Sequence, residues 1–232
     1  MDTQFILEQW QAVLQDMAQA AQASGRSPQD VRLVAVSKFH SAAAIHALYT
    51  AGQRIFGESY AQEARAKMTE LPADISWHFI GHVQRNKVRH VVGNFALVHS
   101  LDSLELAHIM HNRAMRQGVV QPVLVQVNLA QEPQKTGIAL ADLAPLAEFL
   151  AGSAWIRWQG LMLMPPFFDD PERAKPYFAR LRLLRDTLER DYGLALPELS
   201  MGMTGDFEAA IAEGATLVRI GTRIFGPRCS LA

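Results

Sequence analysis

Eight short runs rich in β-branched and other apolar residues recur along this chain, each parted from the next by a segment of helical spacing, and that alternation restricts the fold more than any other feature. The runs are Val31–Val36, Arg54–Glu58, Ser76–Gly81, Phe95–Ser100, Pro122–Asn128, Ile156–Met162, Leu196–Ser200 and Thr216–Ile220. The first, apolar on successive residues, fits a strand buried on both faces. Leu196–Ser200 is the weakest and is admitted mainly by its position. Helices are expected over Ser41–Ala51 and Tyr60–Glu70, from Gly81 through Val92, from a Ser103 cap to about Gln117, from about Ala141 to Leu150, and over Phe207–Glu213. A long helix carries Phe178, Leu181, Leu184, Leu188 and Tyr192; Asp169, Asp170 and Pro171 would start it, although Pro176 argues for a later start or a kink. Eight strands alternating with helices in 232 residues point to an α/β protein, a (β/α)8 TIM barrel in which residues 1–232 form one domain. A doubly wound open sheet is the competitor. It would want a glycine-rich first turn, and Ser37–Ser41 contains no glycine. A further helix precedes the first strand, with Ile6, Trp10, Val13, Leu14, Met17 and Ala21 on one stripe, and would cap the bottom of the barrel.

Composition removes several function classes. The formal net charge is −1, and no charge block gives an electrostatic reason to expect nucleic acid or an anionic membrane surface. The densest basic patch, Arg85, Lys87, Arg89 and His90, reads as a solvated helix face. The lone cysteine, Cys229, excludes an intrachain disulfide and does not support a cysteine metal site. The eight histidines do not fall with acids at metal spacing, and His108 and His111, three apart on a helix, read as a solvated face. Met1–Gln4 lacks the opening of a signal peptide, and no apolar run reaches the ~20 residues needed to span a bilayer, so a cytoplasmic protein is expected.

A barrel gives meaning to two otherwise weak signals. Lys38 would sit at the C-terminal end of the first strand, on the face where such barrels build active sites. A desolvated lysine there can attack an aldehyde; a lysine merely reaching solvent is the plain alternative. At the other end of the chain, Ser200–Asp206 follows the seventh strand and Gly221–Thr222 the eighth, where this fold often binds phosphate. Gly202 and Gly205 permit close backbone approach, and Ser200 and Thr204 offer hydroxyls; an ordinary turn with Thr204 as a cap is the alternative. Closure makes the first strand neighbour the eighth, so amine and phosphate turns would meet. Pyridoxal 5'-phosphate (PLP) carries its aldehyde and its phosphate arm on adjacent ring carbons and matches that pairing. Arg219 would point inward beside them by period-two alternation, towards the ring nitrogen or into an ion pair with Glu58 or another acid.

The stretches Leu33–Lys38, Gln53–Glu58, Trp77–Gly81 with Gln84, Asn86 and Lys87, Gly160–Met162, Leu199–Met203, and Val218–Thr222 with Ile224–Gly226 together resemble the YggS/PROSC family of PLP homeostasis proteins over nearly the whole chain. The resemblance implies an alanine-racemase-type barrel without a second domain and a Schiff base at Lys38. It also implies phosphate contacts at Ser200, Gly202, Gly221 and Thr222, and Arg219 facing the pyridine nitrogen. Family members bind PLP and support vitamin B6 balance without an established reaction, and PLP-requiring apoenzymes are the implied partners. Two positions depart from the family pattern: Ser59 stands where asparagine is usual, near the cofactor, and Thr204 replaces a serine but keeps the hydroxyl. A PLP-dependent racemase or lyase using Lys38, and a Schiff-base aldolase acting on a sugar phosphate, are the alternative functions.

Overall fold

The computed structural model describes residues 3–130 and 136–227. The strands β1 (Arg32–Val36), β2 (Ile55–Glu58), β3 (Ser76–Phe79), β4 (Leu97–Leu101), β5 (Gln121–Gln126), β6 (Ile156–Met162), β7 (Glu198–Ser200) and β8 (Leu217–Ile220) form a closed ring in chain order. Every pairing is parallel. The ring closes where β1 meets β8, with Val34 opposite Arg219 and Ala35 opposite Ile220. This is the TIM barrel expected from the alternation. The open sheet is excluded because β1 pairs with β8 and the ring leaves no edge strand.

Period-two alternation sorts the side chains into two cores. Val34, Leu97, Leu124, Met162 and Leu217 fill the barrel interior, while Phe56, Trp77, Phe79 and Val98 face the surrounding helices. Burying each of these large side chains contributes about 1.5–3 kcal/mol. On β2, Phe56 and Glu58 therefore face outward and Gly57 faces in, where a Cβ would lie 2.9 Å from Val34 Cγ1.

Most helices fall where the spacing places them: α2 (Ala42–Thr50), α3 (Ala61–Glu70), α5 (Leu104–Gln117), α6 (Leu143–Ala151) and α8 (Phe207–Ala212). Ser103 caps α5 by accepting from Leu106 N–H. Three details differ from expectation, and one alternative is settled. The helix through Val92 is only α4 (Val88–Val91), preceded by a 3-10 turn over Arg85–Lys87. The long helix α7 (Lys175–Tyr192) takes the later start that Pro176 argues for, with Pro176 in its first turn, where its missing N–H costs nothing. His108 and His111 are not a purely solvated face: both rings pack against Phe149 of α6. The first helix, α1 (Thr3–Ala23), does not cap the bottom. It packs against α2, α8 and a four-residue helix α9 (Thr222–Phe225). So short a helix after β8 leaves the outer side of the β8–β1 seam uncovered, and the apolar stripe Ile6, Trp10, Val13, Met17 and Ala21 fills it. Trp10 Nε1 donates to Gln53 Oε1 at 3.1 Å, and Arg223 pairs with Asp16.

Candidate functional site

Lys38 lies two residues beyond the end of β1, in a loop held from outside the barrel. Lys67 of α3 is buried and donates to Ser37 O at 2.8 Å, to Glu58 Oε1 at 2.7 Å and to Glu63 Oε1 at 2.7 Å. Ser37 Oγ donates to Glu58 Oε1 at 2.7 Å, and Phe39 N–H to Glu63 Oε1 at 2.6 Å. Phe39 adopts φ +67°, a left-handed conformation that a bulky residue takes only when its surroundings impose it. The ionic cluster on α3 supplies that constraint and fixes the two residues flanking Lys38. Burial raises the Glu58 carboxyl, offset by Lys67, and Glu58 Oε2 has no hydrogen-bond partner. Glu58 therefore belongs to the Lys67 cluster and is not the partner of Arg219. Lys38 Nζ itself is half-buried and reaches Ser59 Oγ at 3.3 Å.

The facing wall comes from β7 and β8. Gly202 has φ +91°, and a Cβ there would lie 2.6 Å from Ala210 Cβ and 3.0 Å from Phe207 Cα, so only glycine fits against α8. Its carbonyl accepts from Arg219 N–H at 3.0 Å. Asp206 Oδ1 closes the turn by accepting from Met203 N–H at 2.6 Å, and burial pushes the Asp206 carboxyl up. At the end of β8, a Cβ on Gly221 would stand 3.0 Å from Val36 O. That close approach brings the turn after β8 against the end of β1, two residues before Lys38.

A cavity of about 260 Å³ opens between the two walls, lined by Lys38, Met164, Thr204, Arg219, Gly221 and Thr222 among others. Five of the eight site residues expected from the sequence thus meet in one space. Ser59 lines an adjoining cavity of about 490 Å³ that shares Lys38 and Met164. Gly202 lies behind the wall. Ser200 is wholly buried, its hydroxyl turned to Arg219 Nη1 at 2.6 Å and His99 Nδ1 at 2.8 Å. The sequence reading passed over His40, which lines the cavity and stacks on Phe225 at 4.5 Å; its place just after Lys38 was the available signal.

Arg219 is 4% exposed, and burial pushes its guanidinium down to about 10, still cationic at neutral pH. Nη1 donates to Ser200 Oγ and Nη2 to Leu163 O at 3.0 Å. Among the described residues no carboxylate lies within ion-pair distance of it. Asp206 acts on it only through its longer-range field. A buried arginine with no acid in contact, set at the wall of a cavity beside an amine, is arranged to meet an acceptor on a ligand. Among the described residues no three His, Cys, Asp or Glu gather to hold a metal ion, and no helix is long and apolar enough to cross a membrane.

Comparison with known proteins agrees with this geometry. The family described as alanine racemase, N-terminal domain, matches residues 9–229. The pyridoxal phosphate homeostasis protein of Pseudomonas aeruginosa is 47% identical over 216 residues, 90% of this chain and 90% of that protein. That of Aquifex aeolicus is 42% identical over 222 residues, 95% of this chain and 97% of that protein. The structure of PipY from Synechococcus elongatus with PLP bound superposes with a TM-score of 0.81 at 40% identity, over 90% of this chain and 100% of that one. Alanine racemase from Corynebacterium glutamicum shares the fold, with a TM-score of 0.73 at 14% identity, over 96% of this chain and 63% of that one. With a family match across nearly its whole length and relatives above 40% identity that cover 90–95% of it, the chain belongs to the alanine racemase N-terminal domain family, among its pyridoxal phosphate homeostasis proteins.

Proposed function

We propose that this protein binds PLP in the cavity between β1 and β8 and acts in PLP homeostasis, holding the cofactor for PLP-requiring apoenzymes. The observation that carries the reading is the approach of Gly221 to Val36 O, which sets the Lys38 amine and the turns after β7 and β8 around one space. When bound, PLP supplies an aldehyde that a lysine amine can capture reversibly as a Schiff base. Lys38 is the amine, and Ser59 Oγ steadies its Nζ. Thr204, Gly221 and Thr222 take the phosphate, through hydroxyls and through the amides of Thr222 and Arg223 that open α9 ahead of the Ile224 N–H bond to Gly221 O. Gly202 lets that wall close on α8. Ser200 enters through Arg219, because its hydroxyl is already engaged there.

Arg219 faces the ring nitrogen in this reading. A cation at that position disfavours protonation of the pyridine, and an unprotonated ring is a weaker electron sink. An arginine with no carboxylate in contact therefore favours holding the cofactor over turning an amino acid over. The test is an absorbance titration of cofactor-free protein with PLP. The wild-type chain should turn yellow and saturate at one equivalent. Lys38→Ala, shown folded by circular dichroism, should lose the yellow band and bind at least 100-fold more weakly. A wild-type chain that takes up no PLP, or a Lys38→Ala variant with the wild-type band, would overturn the reading.

A further inference from the structure

Behind Arg219, inside the barrel, a line of polar groups runs through an otherwise apolar interior. His78 of β3 and His99 of β4 face inward among Leu97, Leu124 and Met162. His78 Nδ1 lies 2.9 Å from His99 Nε2, and His99 Nδ1 lies 2.8 Å from Ser200 Oγ, which accepts from Arg219 Nη1 at 2.6 Å. None of the four side chains is more than 5% exposed.

Counting hydrogens fixes the direction of the line. A neutral imidazole has one donor and one acceptor nitrogen, and a hydroxyl has one hydrogen to give. Ser200 Oγ already accepts from Arg219, and its remaining neighbour in the line is His99 Nδ1. If Ser200 donates to that nitrogen, His99 carries its hydrogen on Nε2 and donates to His78 Nδ1. Every bond then has one donor and one acceptor. In the reverse arrangement Ser200 would accept twice, and its own hydrogen would be stranded in a buried site, which is costly. Burial holds both imidazoles neutral, with His78 pushed down to about 3 and His99 well below its usual value.

We propose that His99, backed by His78, is a positioning residue for Arg219: it accepts the hydrogen bond of the Ser200 hydroxyl, leaves the hydroxyl oxygen as an acceptor for the guanidinium, and so aims at the cavity a positive charge with no acid in contact. What Arg219 meets there rests on the PLP reading; the hydrogen-bond line does not. A carboxylate in place of this uncharged chain would hold Arg219 equally well but would neutralise it.

Nitrogen-15 NMR of the cofactor-free protein tests the line directly. Both histidines should carry their hydrogen on Nε2, unchanged from pH 6 to 8, and Arg219→Met should move the His99 Nδ1 resonance. In the loaded protein, His99→Phe should weaken PLP binding about tenfold, the effect of one lost buried hydrogen bond, and shift the absorption band. His99→Asn, whose amide oxygen can accept from Ser200, should restore most of both. A hydrogen on His99 Nδ1, or Phe and Asn variants that bind PLP alike with the wild-type band, would overturn the proposal. Wild-type protein that takes up no PLP would remove the function proposed above, while the NMR result would still decide the line.

Discussion

The two buried cations that flank the cavity are handled in opposite ways. Lys67, outside the barrel under the Lys38 loop, has two carboxylates and a carbonyl around its ammonium. Arg219, inside the barrel, has a hydroxyl and a carbonyl in contact, and an acid, Asp206, only at longer range. A neutralised cation is a fastener: it ties α3 to the backbone on either side of Lys38. A cation with no acid in contact in a dry wall is costly to keep, and the cost makes sense when its charge is directed at something that arrives. The contrast separates the part of the site that holds its shape from the part that receives a ligand.

The sharpest way to break this contrast is to remove each charge with an unbranched apolar side chain. Lys67→Met strands Glu58 and Glu63 without their cation and should cost about 3–5 kcal/mol of unfolding free energy in urea. Arg219→Met strands no carboxylate, so the cofactor-free protein should lose only about 1 kcal/mol, while PLP affinity falls. Equal losses in stability would mean that both cations are fasteners.

Acid titration sharpens the same comparison. The folded-state pKa values of His78 and His99 are depressed, so below pH 6.5 the unfolded chain binds protons that the folded one does not. Stability should therefore rise with pH through that window and fall on acidification from about 6.5 towards 3, by about 1 kcal/mol per pH unit for each histidine. His99→Asn should remove about half of that slope between pH 6 and 5 in urea unfolding. An unchanged slope would mean that the interior imidazoles protonate in place.

The smallest effect concerns Ser59, the hydroxyl beside the Lys38 amine. Its 3.3 Å contact with Lys38 Nζ is long, so Ser59→Ala should weaken PLP binding only about threefold, measured by absorbance titration. A tenfold loss would give Ser59 a larger share in holding the amine.

Much of this was legible because barrel strands announce themselves by repetition. The eightfold alternation, Lys38 at the end of β1 and the turns at Gly202 and Gly221 all come from local pattern plus one topological rule. What the pattern missed depends on neighbours far away in sequence. The place of α1 depends on how little helix follows β8. Pro197 lacks an N–H for the ladder, so β7 begins only at Glu198. The partners of the Ser200 hydroxyl lie on β4 and β8, beyond the reach of local pattern. A signal for the histidine line was present: Trp77-His78-Phe79 and Val98-His99 each set a polar residue between outward-facing apolar ones or beside one, which places the imidazole inside. Two such histidines on neighbouring strands are a reason to look for what they hold.

The central claim is that the amine of Lys38 shares one cavity with the turns after β7 and β8. Borohydride reduction of the PLP-loaded protein, followed by peptide mass spectrometry, tests it most directly. The account predicts the pyridoxyl adduct on the peptide containing Lys38 and its loss when Gly221→Val fills the approach to Val36. An adduct confined to Lys67, Lys87 or Lys175, or one on Lys38 that Gly221→Val leaves at the wild-type level in folded protein, would contradict it.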